Sequence, residues 1–176
     1  MPLQQHKLAD RHGVLMNING NGIFIIGQAG IGKSSFALEL LHQGHQLIAD
    51  DVVEFSQSEN TITGSCPEMS AGLLHCRELG LISVPELFSP KAYLPQQSLN
   101  YVVELKNSLN NNSTLSPSQT YKIANVSFPL LQLSINSPAS LYHRMLSWIS
   151  MQKSLSDVEL NLKQRQQKLM SDAQGD

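Results

Sequence analysis

The sequence contains little cysteine, no long apolar run and almost no net charge. Cys66 and Cys76 are its two cysteines among 176 residues, and no second pair accompanies them. A zinc site would need more ligands at closer, CxxC-like spacing. We therefore expect two free thiols in a reducing compartment rather than a disulfide framework or a zinc centre.

The apolar runs and the charge balance exclude further classes of protein. No stretch approaches the roughly 18 consecutive apolar residues of a membrane-spanning helix. The formal net charge is −2, which does not favour a nucleic-acid or membrane surface. Residues 1–10 are polar and lack the apolar segment of a secretory signal. We expect a cytoplasmic protein with no nucleic-acid and no membrane partner.

The most informative feature that is present is a complete G-x-x-x-x-G-K-[ST] motif, followed by a second serine. Backbone N–H groups of such a loop surround nucleotide phosphates, the lysine reaches the β- and γ-phosphates, and the serine hydroxyl binds Mg²⁺. An apolar strand at 23–26 precedes the loop, and a helix that stops at Gly44 follows it. The helix N-terminus adds partial positive charge to the same site. The predicted nucleotide-binding residues are Gly27, Gln28, Ala29, Gly30, Ile31, Gly32, Lys33, Ser34 and Ser35.

The remaining chain is typical of an α/β domain with a β-rich middle. We expect one domain over 1–153 and a polar, weakly helical tail over 154–176. The segment 106–120 holds four Asn and four Ser, which is typical of a flexible surface loop. The further predicted strands are 14–18, 47–49, 52–55, 61–63, 81–84, 101–105, 121–126 and 130–135, and the further predicted helices are 69–78 and 138–151.

Two adjacent acids, Asp50 and Asp51, follow Lys33 by 17 and 18 residues, directly after the strand 47–49. A P-loop enzyme needs an acid for Mg²⁺ or its water shell, and often another to orient or deprotonate the nucleophile. Successive side chains of a strand point in opposite directions, so an adjacent pair can divide these tasks. Such a pair can also simply end a strand as a turn; its position after the P-loop favours the functional interpretation.

Several segments together resemble the catalytic domain of HPr kinase/phosphorylase. These are R-H-G-V at 11–14, G-I-G-K-S at 30–34 and G-H-Q-L-I-A-D-D at 44–51. The later L-H-C-R-E-L-G-L-I at 74–82 is similar to that family's L-E-I-R-G-L-G-I-I segment. The resemblance covers roughly residues 11–105, over half of the chain.

The resemblance implies an α/β P-loop domain of the HPr kinase and phosphoenolpyruvate carboxykinase type, a mixed sheet with flanking helices. It implies ATP- and Mg²⁺-dependent phosphorylation of a serine on the phosphocarrier HPr, which regulates carbohydrate metabolism. Bifunctional members also remove that phosphate by phosphorolysis. Members of the family assemble as hexamers through this domain, so the resemblance also implies a homo-oligomer.

The resemblance assigns roles to individual residues. Asp50 is expected to take the serine proton, and His12 to hydrogen-bond and tune the acid pair. Asp51 is expected to support the metal and phosphate region together with Ser34. Arg77 is expected to be a positive contact for the substrate or its phosphate.

The sequence departs from the family pattern at several places. Ala29 stands where the family often has serine, and His75 stands where it has a metal-side carboxylate. The family's glycine-rich loop that meets the protein substrate is replaced by F-S-P-K-A-Y at 88–93. The P-G-R-N segment has no counterpart, and we expect a short form of the family without its N-terminal regulatory domain. Two alternatives therefore stand beside an HPr kinase: a nucleotide-binding regulatory pseudokinase, and a kinase for another protein or a small molecule.

Overall fold

The computed structural model describes residues 6–108, 119–154 and 158–172. The chain divides into two compact units, one ending at Leu141 and one beginning at Tyr142. The first unit holds the strands. In chain order they are β1 His6–Lys7, β2 Arg11–His12, β3 Val14–Ile18, β4 Asn21–Gly27, β5 Gln46–Ala49, β6 Val52–Ser58, β7 Thr61–Ser65, β8 Leu73–Cys76, β9 Gly80–Ser83, β10 Gln96–Lys106, β11 Thr120–Ile123 and β12 Val126–Ser134.

The described part of the chain has four α-helices, α1 Lys33–His42, α2 Val84–Leu87, α3 Leu141–Lys153 and α4 Val158–Asp172, and two 3₁₀ turns, Glu68–Ser70 and Pro90–Ala92. Helix α1 buries Phe36, Ala37, Leu40 and Leu41, and it lies against β3, β4, β5 and β8. No helix in the described ranges is both long and apolar enough to span a bilayer.

The main sheet has ten strands and mixes both directions of pairing. Its path runs β1-β6-β7-β10-β4-β3-β5. In addition, β12 pairs with β10, β11 pairs with β12, and β2 pairs with β6. The long strand β10 pairs antiparallel with β7 through its first residues, and then parallel with β4 and β12. Parallel pairing brings the carboxyl ends of β4, β10 and β12 to one edge, the end at which open α/β sheets bind ligands.

The two predicted strands before the P-loop form a hairpin, β3 and β4. Asn19 and Gly20 both have positive φ, 52° and 85°, which matches the two-residue turn that favours the twist of a hairpin. Strand β3 consequently pairs antiparallel with β4, with Leu15 opposite Phe24. The P-loop strand therefore has a sequence neighbour on one side and β10 on the other.

The predicted helix 69–78 is wrong. A 3₁₀ turn at Glu68–Ser70 ends before Gly72, whose φ is +72°, and the hairpin of β8 and β9 follows. Leu74 and Cys76 are buried, whereas His75 between them is exposed. This alternation is the period of a strand and not of a helix.

The carboxyl-terminal predictions are corrected in smaller ways. The predicted strand 121–126 is interrupted at Ala124, which has a φ of +50°, so two strands of a hairpin replace it. Helix α3 begins at Leu141 rather than at Pro138, and a 15-residue helix, α4, occupies most of the predicted weakly helical tail. Most of the predicted surface loop 106–120 lies outside the described residues. The division into 1–153 and 154–176 stays a prediction.

Replacing Gly22 by alanine is expected to destabilise the first unit by about 2–3 kcal/mol, because overpacking displaces rigid neighbours. A Cβ at this position would lie 2.1 Å from the carbonyl oxygen of Ser98, a backbone atom that cannot turn aside. Urea unfolding measures the change. Ser98→Ala is the matched control, because it leaves the carbonyl in place and adds no atoms; equal midpoints for the two variants would contradict the expectation.

Candidate active site

The phosphate-binding loop connects the end of β4 to the start of α1. Gly30 and Gly32 adopt φ values of +76° and +104°, which residues with a Cβ rarely adopt. Gly32 is the N-cap of α1, and no side chain caps the helix. The first backbone N–H groups of α1 are therefore available to an anion, and the helix dipole favours negative charge there.

Lys33 folds back over this loop. Its ammonium group donates hydrogen bonds to the carbonyl oxygens of Gly27 and Gln28, at 3.0 and 3.1 Å. These contacts hold the charge at the mouth of the loop. A phosphate bound by the N–H groups of the loop would lie within reach of the same ammonium.

Asp50 is the buried member of the acid pair, with 7% of its surface exposed. One carboxylate oxygen accepts a hydrogen bond from the Ser34 hydroxyl at 2.8 Å. The other accepts the backbone N–H of His75, also at 2.8 Å. Both oxygens are thus engaged, and Asp50 links the P-loop serine to the β8–β9 hairpin.

Asp51 is the exposed member. Its side chain and that of His12 are both 83% exposed, and Nδ1 of His12 lies 3.7 Å from Oδ1 of Asp51. The Val52 N–H donates to the Asp50 carbonyl at 2.8 Å, with Asp51 between them at a φ of +67°. This is the rarer, strained form of a γ-turn, and such strain concentrates at functional sites. The turn directs two consecutive acids to different surroundings.

Arg77 lies over the P-loop from the β8–β9 side. Its Nη2 atom is 3.0 Å from where a Cβ of Gly30 would be, so the absence of a side chain at Gly30 makes room for the guanidinium. The Arg77 side chain is exposed. Its position suits a contact with a phosphate or an acidic substrate.

One cavity of about 660 Å³ unites these groups. It contains His12, Asp50, Asp51 and Arg77 together with most of the predicted loop; Gln28 and Ile31 belong to the loop but do not line the cavity. Its lining residues are His12, Gly27, Ala29, Gly30, Gly32, Lys33, Ser34, Ser35, Leu38, Asp50, Asp51, His75, Cys76, Arg77, Glu78 and Leu79.

Cys76 is a cavity residue that the sequence interpretation missed. Its Sγ lies 3.7 Å from the carbonyl oxygen of Ser34. Burial, and then the negative charge of Asp50, raise the pKa of this thiol, so it stays protonated at neutral pH. Burial likewise raises the pKa of Cys66. Both cysteines are free, as predicted. A strand reading of 73–76 would have placed Cys76 beside Leu74 on the inward face.

Comparisons with known proteins give a consistent family for the chain. A family model described as the HPr Serine kinase C-terminal domain matches residues 4–172. The HPr kinase/phosphorylase of Geobacillus thermodenitrificans is 46% identical over 96 residues, which are 54% of this chain and 31% of that protein. That of Mycoplasmopsis pulmonis is 37% identical over 139 residues, 77% of this chain and 45% of that protein.

A solved structure is similar as well. The Hpr(Ser) kinase/phosphatase from Coxiella burnetii superposes with a TM-score of 0.75 at 27% identity, covering 83% of this chain and 99% of that one. The predicted fold, a mixed-sheet P-loop domain of the HPr kinase type with flanking helices, is confirmed. The chain spans between about a third and a half of the length of the curated relatives that it matches.

Proposed function

The chain belongs to the family of HPr serine kinase C-terminal domains, and we propose that it is an ATP-dependent protein-serine kinase acting on an HPr-like phosphocarrier. The observation that carries this proposal is the shared cavity. It is lined both by an uncapped, glycine-rich helix N-terminus and by an exposed carboxylate that lies 3.7 Å from a histidine. The helix N-terminus can hold the phosphates of ATP, and the carboxylate can activate a hydroxyl acceptor.

We propose that Asp51, and not Asp50, takes the proton of the serine hydroxyl. A general base must reach the acceptor with a free oxygen. The oxygens of Asp50 already accept bonds from Ser34 and from the backbone of His75, whereas Asp51 is largely exposed. This reverses the assignment made from the sequence.

Three side chains take part in the proposed transfer step: Asp51, Lys33 and His12. Asp51 accepts the proton as the serine oxygen attacks the γ-phosphorus, and the bond between that phosphorus and the β,γ-bridging oxygen breaks to release ADP. Lys33 offsets the charge that develops on the phosphate oxygens. His12 holds the Asp51 carboxylate through their contact. In phosphorolysis, an oxygen of inorganic phosphate attacks the phosphorus of phosphoserine to form pyrophosphate, and the bond from that phosphorus to the serine oxygen breaks. Asp51 takes the proton of the attacking phosphate and gives it to the departing serine oxygen.

The residues fit Mg²⁺. No three His, Cys, Asp or Glu side chains in the described ranges converge to hold a metal ion, but Mg²⁺ commonly uses one or two protein oxygens together with phosphate oxygens and water. The Ser34 hydroxyl, 2.8 Å from Asp50, offers such oxygens. Ser34 and Asp50 would hold the ion, rather than the predicted pair of Ser34 and Asp51. Bound Mg²⁺ would neutralise charge on the β- and γ-phosphates.

The partner and setting of the enzyme belong to the same proposal. We propose an HPr-like protein as acceptor, a homo-oligomer that can be a hexamer, and a cytoplasmic location. The resemblance of the sequence to the family supports these statements. The segment 88–93 supports the alternative of a different acceptor, because it lacks the glycines of a flexible loop. It is also anchored, since the Lys91 carbonyl oxygen accepts a hydrogen bond from Gln46 Nε2 at 2.7 Å.

Replacing His75 by glutamate is expected to raise Mg²⁺-dependent transfer severalfold. His75 lines the cavity beside Asp50 and brings an imidazole, whereas Mg²⁺ prefers carboxylate oxygens. Initial rates at varied Mg²⁺ concentration measure the effect, and His75→Gln is the uncharged control. An unchanged Mg²⁺ requirement in the glutamate variant would contradict a metal-side position for residue 75.

The imidazole of His75 also favours a competing function, a nucleotide-binding regulator without transfer, because Mg²⁺ prefers carboxylate oxygens to imidazole. The two are separated by incubating the protein with labelled ATP and an HPr-like protein while thermal stability is recorded. A kinase transfers label to serine. A regulator gains stability from ATP, by about 2.7 kcal/mol at a hundredfold excess over Kd, and transfers no label.

A further inference from the structure

Arg11 lies directly before His12 but points away from the cavity. Its Nη1 donates a hydrogen bond to the Tyr121 hydroxyl at 2.8 Å, and its guanidinium carbon is 5.4 Å from the centre of the Tyr121 ring. Arg11 is only partly exposed. Strand β2 is therefore tied by a side chain to β11, more than a hundred residues further along the chain.

Tyr121 is itself held by contacts between aromatic rings. Its ring meets the Phe24 ring edge to face at 6.3 Å, and Phe24 meets Phe55 in the same way at 5.2 Å. Phe24 is fully buried in β4, three residues before the P-loop begins. The contact of Arg11 thus connects β2 to the core beneath the phosphate-binding loop.

Strand β2 needs such a support, because it has two residues. Its backbone pairs Arg11 with Val53 and His12 with Val52, and the Gly13 N–H donates to the Asp51 carbonyl at 3.0 Å. The His12 and Asp51 side chains are exposed, so packing does not hold them. A short element with few buried contacts opens easily.

A second observation argues against a purely stabilising role for the arginine. Its Nε atom is buried and has no hydrogen-bond partner among the described residues. An unsatisfied buried donor costs stability, and it calls for an explanation other than stability. Holding the strand beside Asp51 is an explanation that accommodates this cost.

We propose that Arg11 is a positioning residue that acts through His12. Its bond to Tyr121 keeps β2 in the register in which the imidazole of His12 lies beside Asp51. This inference rests on the proposed function for its effect on catalysis, but its structural part, the ordering of β2, does not.

Removing the hydrogen bond between Arg11 and Tyr121 is expected to lower kcat and to leave the KM for ATP nearly unchanged. Arg11→Met should reduce kcat by roughly 10–100-fold, the value of one hydrogen bond to a charged group. Arg11→Lys should restore part of the rate. Tyr121→Phe keeps the ring and loses the hydrogen bond, so its kcat should lie between those of the wild type and Arg11→Met. Lys122→Met is the matched control, because it removes a cation from an exposed position on β11, next to Tyr121.

A double-mutant cycle separates positioning from general stability. In a His12→Ala background, Arg11→Met should change kcat by less than about twofold, since coupled residues are not additive. An equal loss of kcat in both backgrounds, or a parallel loss of ATP affinity, overturns the proposal.

Amide hydrogen exchange at Gly13 tests the same inference without any activity. Arg11→Met and Tyr121→Phe should speed this exchange by about tenfold or more, through local opening of β2, and Lys122→Met should not. Unchanged exchange in both variants overturns the proposal. If the wild-type protein transfers no phosphate, the proposed function fails, and this measurement alone still decides the role of Arg11.

Discussion

Replacing Asp51 by asparagine is expected to reduce phosphoryl transfer by about 10²- to 10⁴-fold, the usual contribution of a general base. The amide has nearly the same shape but does not accept the serine proton. Asp51 is exposed and lies outside the contacts that order the P-loop, so the affinity for ATP should change by less than about twofold. Single-turnover transfer and nucleotide titration measure the two quantities separately.

Asp50→Asn is the matched comparison. Its carboxylate accepts bonds from Ser34 and from the backbone of His75, so the substitution disturbs the loop and the β8–β9 hairpin together. We expect a lower thermal midpoint and weaker Mg²⁺-dependent nucleotide binding, in addition to slower transfer. If Asp50→Asn kept wild-type stability and binding but lost transfer, while Asp51→Asn stayed active, the assignment made from the sequence would stand and ours would fail.

Replacing Lys33 by alanine is expected to weaken ATP binding by roughly ten- to a hundredfold, because a hydrogen bond to a charged group contributes about 1.5–3 kcal/mol. The ammonium already lies at the loop mouth, bonded to the carbonyls of Gly27 and Gln28. Binding of phosphate therefore requires only a change of partners. The expected loss should be larger for ATP than for adenosine, which carries no phosphate.

Calorimetric or fluorescence titration with ATP and adenosine checks this result. Lys91→Ala is the control, since it removes the same charge from a position that does not line the cavity. Equal ATP affinity in the Lys33 variant and the wild type would contradict the proposal that this loop binds the phosphates.

Local rules explain the part of the fold that the sequence predicts well. The P-loop strand, its loop and α1 follow from an apolar run, glycines and a helical pattern, and the Asn19-Gly20 turn follows from residues that tolerate positive φ. The helix prediction at 69–78 failed because Gly72 ends the 3₁₀ turn and because buried and exposed residues then alternate. Long-range pairing with β9 stabilises that strand, and no local window contains this information.

The residues predicted for the site, apart from Gln28 and Ile31, line one cavity, but the sequence did not indicate how the surroundings of Asp50 and Asp51 differ. Asp50 and Asp51 are chemically identical in the sequence. Only the γ-turn at Asp51 buries one carboxylate against Ser34 and leaves the other beside His12. The place of Cys76 depended on the missed strand. The tether between Arg11 and Tyr121 joins distant segments, so neither spacing nor composition could have indicated it.

The most direct test of the account is transfer of labelled phosphate from Mg-ATP to a purified HPr-like protein, with phosphoserine as the product measured. We expect the wild-type protein to label a serine, and Asp51→Asn to bind ATP with nearly equal affinity and to label the serine about 10²- to 10⁴-fold more slowly. A wild-type protein that binds Mg-ATP and forms no phosphoserine would contradict the proposed kinase function.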